Sequence, residues 1–124
     1  MTHEQFIGLV QNRGHLDSRD DVERATRATL ETLAERLAGG EADDLAAQLP
    51  REIGEYLRHE GQKFERLELA QFYERVSERE GSELSDAVHH AKSVVSVLRE
   101  AVSPGEFADI EQQLPEEYRP LLEA

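Results

Sequence analysis

Apolar positions recur along this chain at steps of three and four. Val22, Thr26, Thr29, Leu30, Leu33 and Leu37 make one stripe, and Ala87, Ala91, Val94, Val95, Leu98 and Val102 make another. That period puts each set on one face of an α-helix. Val94, Val95 and Val97 favour strands, but they lie inside a helical period flanked by His, Lys and Arg, so no strand is expected. Punctuation residues divide the rest. Thr2 and Gln5 predict a capping box opening the first helix, with Phe6, Ile7, Leu9 and Val10 inward and Gly14 as its stop. Asp17, Ser18 or Asp20 caps the second helix, which runs to about Ala38 before Gly39-Gly40 ends it. Glu41 to Gln48 is a short third helix anchored by Leu45 and Leu49. Pro50 suits the first position of a fourth helix, where its missing N–H is no loss, with Ile53, Tyr56 and Leu57 inward. Gly61 breaks the connector, in which Phe64 and Leu67 are the expected anchors. Ser103-Pro104-Gly105-Glu106 reads as a helix start, and Pro115 opens a last helix with Tyr118, Leu121 and Leu122 inward. Pro120 inside that helix predicts a bent or frayed end.

The second half repeats the first. Gly40-Glu41-Ala42-Asp43-Asp44-Leu45-Ala46-Ala47-Gln48-Leu49-Pro50 returns as Gly105-Glu106-Phe107-Ala108-Asp109-Ile110-Glu111-Gln112-Gln113-Leu114-Pro115. Gln71, Phe72, Tyr73 and Val76 answer Gln5, Phe6, Ile7 and Val10, and the second helical stripe answers the first position for position. The expected fold is all-α: about eight helices as two tandem four-helix repeats, spanning about 2–59 and 68–122 with a connector at about 60–67. At 124 residues this is one domain, 1–124, with the halves burying their apolar faces against each other.

Gln5-Phe6 with Val10, the Thr29-Leu30-Glu31-Thr32-Leu33-Ala34-Glu35-Arg36-Leu37 helix and the repeated Gly-Glu…Gln-Leu-Pro tract resemble a prokaryotic family, domain of unknown function 2267. So do Phe72-Tyr73-Glu74-Arg75-Val76 and Val95, Leu98, Arg99 and Glu100. The resemblance extends from about Thr2 to Leu122. It implies a small, internally duplicated, all-helical domain, and it brings no activity, cofactor or catalytic residue.

Composition narrows the function classes. The formal charge is −13, from 27 acidic and 14 basic residues. A protein holding phosphates needs basic side chains, so no nucleic-acid partner is expected. Only Lys63 and Lys92 are lysines. The acidic, lysine-poor surface fits either ordinary solubility charge or a salty cytoplasm. No apolar run is long enough for a membrane span, and Met1-Thr2-His3-Glu4-Gln5 lacks the basic start of a signal peptide, so a cytoplasmic protein is expected. With no cysteine, there is no disulfide, thiolate nucleophile or Cys-based zinc site.

Few residues carry candidate chemistry. Asp86 precedes His89 and His90 at the spacing of a helical carboxylate–histidine pair, but the aligned Asp21, Arg24 and Ala25 contain no histidine. All three read as surface residues, and His3, His15 and His59 stand isolated at turns or helix ends. Ser18, Ser77, Ser82, Ser85, Ser93, Ser96 and Ser103 include helix caps and no nucleophile turn. Gln48 and Gln113 are expected to hydrogen-bond open backbone groups at a helix junction. Glu41 and Glu106 read as first-turn partners of the helix dipole, and Asp44 and Asp109 as helix-face acids. Tyr56, Phe64, Tyr73, Phe107 and Tyr118 are read as core. No catalytic, cofactor-binding or metal-ligating residue is assigned, and no cofactor is expected. The leading function is a non-enzymatic protein–protein interaction module. The alternative is a small-ligand or metal-binding protein using a cleft between the repeats.

Overall fold

The computed structural model describes residues 1–124, and all its regular elements are helices, with no strand. Helix α1 (His3–Gly14) opens on the expected capping box: the Thr2 hydroxyl accepts from the Gln5 amide and the Gln5 side chain accepts from the Thr2 amide. Its left-handed terminal residue is His15, at φ 52°, rather than Gly14. Ser18 caps α2 (Arg19–Arg36) by accepting the Asp21 amide. Gly39 and Gly40 follow at φ 66° and 81°, a region open to glycine at little cost, and turn the chain into α3 (Glu41–Ala47). Pro50 stands just outside α4 (Arg51–Gly54), as its cap rather than its first residue, and a 3₁₀ turn, Glu55–Arg58, follows.

The second half runs in a similar order, except that its 3₁₀ turn precedes the last short helix instead of following it. Helix α5 (Leu69–Glu80) is boxed by Glu68 and Gln71 and ends at Gly81 in the left-handed region. Next come α6 (Leu84–Ala101) and α7 (Pro104–Gln113), the latter capped by Ser103, whose hydroxyl accepts the Glu106 amide. A 3₁₀ turn, Glu116–Tyr118, leads to α8 (Arg119–Leu122). Pro120 lies in the first turn of α8, where a missing N–H is tolerated, and the helical path changes character just before it. Helices α1 and α5 have 12 residues each, and α2 and α6 have 18 each.

Every residue of both stripes is buried. Helices α2 and α6 pack against each other, and each also receives α1 and α5, so neither half closes its core alone. Each buried Leu or Val contributes about 1.5–3 kcal/mol by leaving water. Helix α3 lies on the first 3₁₀ turn and on α7. Gly54 permits the close approach of α4 to α3, because a Cβ there would sit 2.8 Å from the Ala46 carbonyl oxygen. Phe107 and Tyr118 are core, whereas Tyr56 and Tyr73 are half-buried. Phe64, expected as an anchor, is 44% exposed, and the Arg36 guanidinium covers its ring at 5.7 Å. Leu67 is the connector's true anchor. Its side chain is buried, and its carbonyl accepts from Tyr118 Oη (2.7 Å) and Arg36 Nε (3.0 Å).

A buried ionic knot joins α2 to α5. Glu35 Oε1 lies 3.1 Å from Arg75 Nη1, and Glu35 Oε2 lies 2.6 Å from Arg79 Nη2 and 3.3 Å from His59 Nε2. Burial raises the Glu35 carboxyl, but the Arg79 and Arg75 hydrogen bonds outweigh it and hold the group below its ordinary range.

Candidate functional site at the α3 and α7 junction

The repeated Gly-Glu…Gln-Leu-Pro tracts form α3 and α7 with their flanks, and these two helices meet. Two kinds of side chain work at the junction. Gln48 Oε1 accepts the Ser103 amide at 2.8 Å. Gln113 Oε1 accepts the Ala38 amide at 2.9 Å, and its Nε2 donates to the Ala38 carbonyl at 3.0 Å. Ala38 and Ser103 occupy matching positions just beyond the two long helices, so each glutamine ties down the end of the other half's long helix. The expectation of backbone hydrogen bonding holds, with the partner in the opposite half.

Between these ties the carboxylates gather. Oxygens of Glu41, Glu106 and Asp109 all lie within 4.8 Å of one another. Glu106 is only 8% exposed. Its Oε2 and the Oε1 of Glu41 are sealed from solvent, and neither receives a donor from elsewhere in the protein. No ion pair in the molecule involves Glu41, Asp44, Glu106 or Asp109. Hydrogen bonding with the Glu41 carboxyl, then burial, then the charges of Glu41, Asp44 and Asp109 push the Glu106 carboxyl up to about 7. Two carboxylates this close cannot both ionise cheaply. The arrangement is satisfied by a proton shared between Glu41 and Glu106, or by a cation set among them.

The histidines do other work. His90 is not a surface residue: its Nδ1 stands 2.5 Å from Oε1 of the buried Glu80, and its side chain is 14% exposed. This pair borders a cavity of about 140 Å³ between the halves, together with Leu16, Asp21, Arg24, Gly81 and Ser82. His89 is exposed and stacks on His15, with ring centres 5.8 Å apart and planes 4° from parallel. Asp86 is exposed and makes no ion pair with either histidine. His3 reaches Glu23 at 3.3 Å, and His59 is drawn into the Glu35 knot, so neither is isolated. Ser18 and Ser103 are caps as expected. Ser77 donates to the Ser82 carbonyl, Ser93 to that of His89 and Ser96 to that of Ser93.

The sequence places Glu41 and Glu106 correctly in first helical turns but gives no sign that they meet. In so acidic a chain, carboxylates near one another in sequence carry no information. The usable signal was that both belong to the repeated tract at equivalent positions. The exposed large apolar residues are Met1, Phe64 and Leu84, on three separate segments. No helix is long and apolar enough to cross a membrane.

No curated protein matches the chain. A family model described as "Uncharacterized conserved protein (DUF2267)" matches residues 3–121, nearly the whole length. The chain belongs to the DUF2267 family.

Proposed function

We propose that the two halves are copies of one helical unit, and that the protein is a non-enzymatic binding module taking a positively charged ligand at the α3 and α7 junction. The observation that carries this reading is the gathering of Glu41, Glu106 and Asp109, with Asp44 nearby, where no basic side chain answers them. Leaving such charges uncompensated is costly, and a bound cation removes that cost. The halves contribute equally, so the ligand would also cement them together. This places ligand binding ahead of the protein–protein reading that composition alone favours. A docking partner would want a continuous apolar face, and Met1, Phe64 and Leu84 are scattered, with Phe64 partly covered by Arg36. Calorimetric titration of chelator-treated protein with metal ions and with spermidine, at about physiological ionic strength, tests it. One saturable site, weakened when Glu41 and Glu106 are both changed to Gln, is the expected result. A protein that binds no cation saturably at the junction would rule the reading out.

A further inference from the structure

Two grooves lie at matching places on α1 and α5, and the chain itself fills only one of them. Met1, Gln5, Gly8 and Leu9 stand 66 positions before Leu67, Gln71, Glu74 and Arg75. The first four, with Glu4 and Glu100, line an open groove of about 640 Å³. The second four, with Glu65 and Glu78, line one of about 230 Å³. The surroundings match as well. Thr2 and Glu68 cap α1 and α5, and His15 and Gly81 end them in the left-handed region. Arg13 pairs with Glu100 as Arg79 pairs with Glu35.

The connector, without regular structure over 62–68, lies across the α5 groove. Its Glu65 amide donates to the Glu35 carbonyl at 2.7 Å, its Glu65 carboxylate meets Arg75 at 2.8 Å, and Leu67 is its buried anchor. On α1 the same features stand open. The Glu100 carbonyl receives no backbone donor: Pro104, four residues on, has no N–H, and the Ser103 amide is spent on Gln48. The Glu100 side chain is 52% exposed and pairs with Arg13 alone, whereas Glu35, at 8%, has Arg75, Arg79 and His59. A Cβ on Gly8 would meet nothing within 4 Å, so another backbone can come close there.

We infer that the α1 groove takes an extended segment of a partner protein, with arginine and leucine two residues apart in the places that Glu65 and Leu67 hold on α5. Charge complementarity selects the arginine. Glu65 faces Arg75, but the residue answering Arg75 on α1 is Leu9, and the charge beside it is Glu100. The favoured side chain therefore changes sign: arginine lays its stem on Leu9 and its guanidinium on Glu100. The leucine packs over Gly8 against Met1, and the segment's backbone donates to the Glu100 carbonyl. Binding of this kind uses one anchor and the main chain, so the scatter of Met1, Phe64 and Leu84 does not count against it. The step rests on the equivalence of the halves proposed above and takes nothing from the cation site.

The probe is a peptide copying residues 59–67 with Glu65→Arg, blocked at both ends and titrated into the full chain by NMR. The expected result is saturable binding at about 10–300 µM, with amide shifts centred on Gln5, Gly8, Leu9 and Glu100. The peptide that keeps Glu65, and the arginine peptide with Leu67→Ala, should each bind at least about tenfold more weakly. In the chain, Gly8→Gln fills the groove and should abolish binding. It replaces an exposed helical glycine that has open space around it, so the variant should remain folded. Glu100→Gln should weaken the arginine peptide about fivefold and leave the Glu65 peptide unchanged, while Glu74→Gln on α5 affects neither. No saturable binding, shifts confined to α5 or to the α3 and α7 junction, or unchanged affinity in Gly8→Gln would overturn the proposal. Concentration-dependent dimerisation of the peptide-free chain that Gly8→Gln abolishes would give the groove to a second copy and overturn it equally. Any of these failures leaves the cation titration, which is read through Glu41 and Glu106, to stand or fall on its own.

Discussion

The crossed glutamines permit a sharp test, because the two are not bonded alike. Gln113 both accepts from the Ala38 amide and donates to the Ala38 carbonyl, whereas Gln48 only accepts, from the Ser103 amide. Each exposed hydrogen bond contributes about 0.5–1 kcal/mol net. Alanine recovers about 0.4 kcal/mol of helix propensity. Gln113→Ala should therefore cost about 1 kcal/mol, and Gln48→Ala about 0.5 kcal/mol. At about 2.1 cal/mol/K of unfolding entropy per residue, a chain of 124 residues melts about 4 °C lower per kcal/mol lost. The alanine variants should thus fall by about 4 °C and 2 °C, and the double variant by at least their sum, since both ties close one junction. The glutamate variants separate the roles. Gln48→Glu keeps the acceptor and loses only about 0.5 kcal/mol to Asp44 one turn away. Gln113→Glu loses its donor and sets a carboxylate against the Ala38 carbonyl, at about 1.5–2 kcal/mol, or 6–8 °C. Thermal melting followed by circular dichroism reads all of these. If Gln48→Glu proves the more damaging of the two, or if the double alanine variant melts like the parent, the glutamines are not the ties described.

Three other outcomes follow from single buried groups. Thr29 is fully buried on α2 with its hydroxyl unbonded, and the matching position in α6 is Val94; Thr29→Val should raise the melting midpoint by about 4 °C, from about 1 kcal/mol, and a lower midpoint would show that the hydroxyl has a partner. Removing Glu35 takes a buried partner from Arg75, Arg79 and His59, while Arg75 keeps Glu65 and Arg79 keeps the Thr32 hydroxyl, so Glu35→Ala should cost about 2 kcal/mol. Because the folded Glu35 carboxyl titrates below its ordinary value, its contribution is present at neutral pH and is lost as pH falls below about 4.5 through the folded pKa, which Glu35→Gln should abolish in acid melts. Glu106 has the opposite sign. Its folded value of about 7 lies above the ordinary 4.5, so the folded state holds a proton that the unfolded chain has released. Stability should accordingly fall as pH rises from about 4.5 to 7 and level off above, by about 1–2 kcal/mol once solvent screening is allowed for. Glu106→Gln in the presence of chelator should flatten that slope, and a slope unchanged in the variant would remove Glu106 as its source.

What could be read from the sequence was what depends on near neighbours. The capping box at Thr2, the Ser103 start and the two stripes are all decided within one or two helical turns, and all stand where expected. The misreadings of Phe64, His59 and His90 share a cause. Each owes its surroundings to another helix: Arg36 on α2 for Phe64, Glu35 on α2 for His59, and Glu80 at the end of α5 for His90. Glu35 itself sits within an amphipathic pattern that marks charged residues as outward, and only the two arginines of α5 make its burial affordable.

The junction was illegible for a more specific reason. If the halves are copies brought together face to face, equivalent residues have two ways of interacting. Those far from the relating axis exchange partners, as Gln48 does with Ser103 and Gln113 with Ala38. Those close to the axis must face their own counterpart, as Glu41 faces Glu106. For an apolar residue self-pairing is harmless, but a repeated acid on the axis is forced against a like charge by the duplication itself. Local patterning cannot reveal this, because each glutamate, taken alone, is a good first-turn residue beside a positive helix end. Retaining both therefore sets a requirement that neither copy alone imposes: the pair must be met by a proton or by a cation. That requirement is why the functional proposal rests on the repeated tract, and why changing one member of the pair to glutamine should relieve the fold while disabling the site.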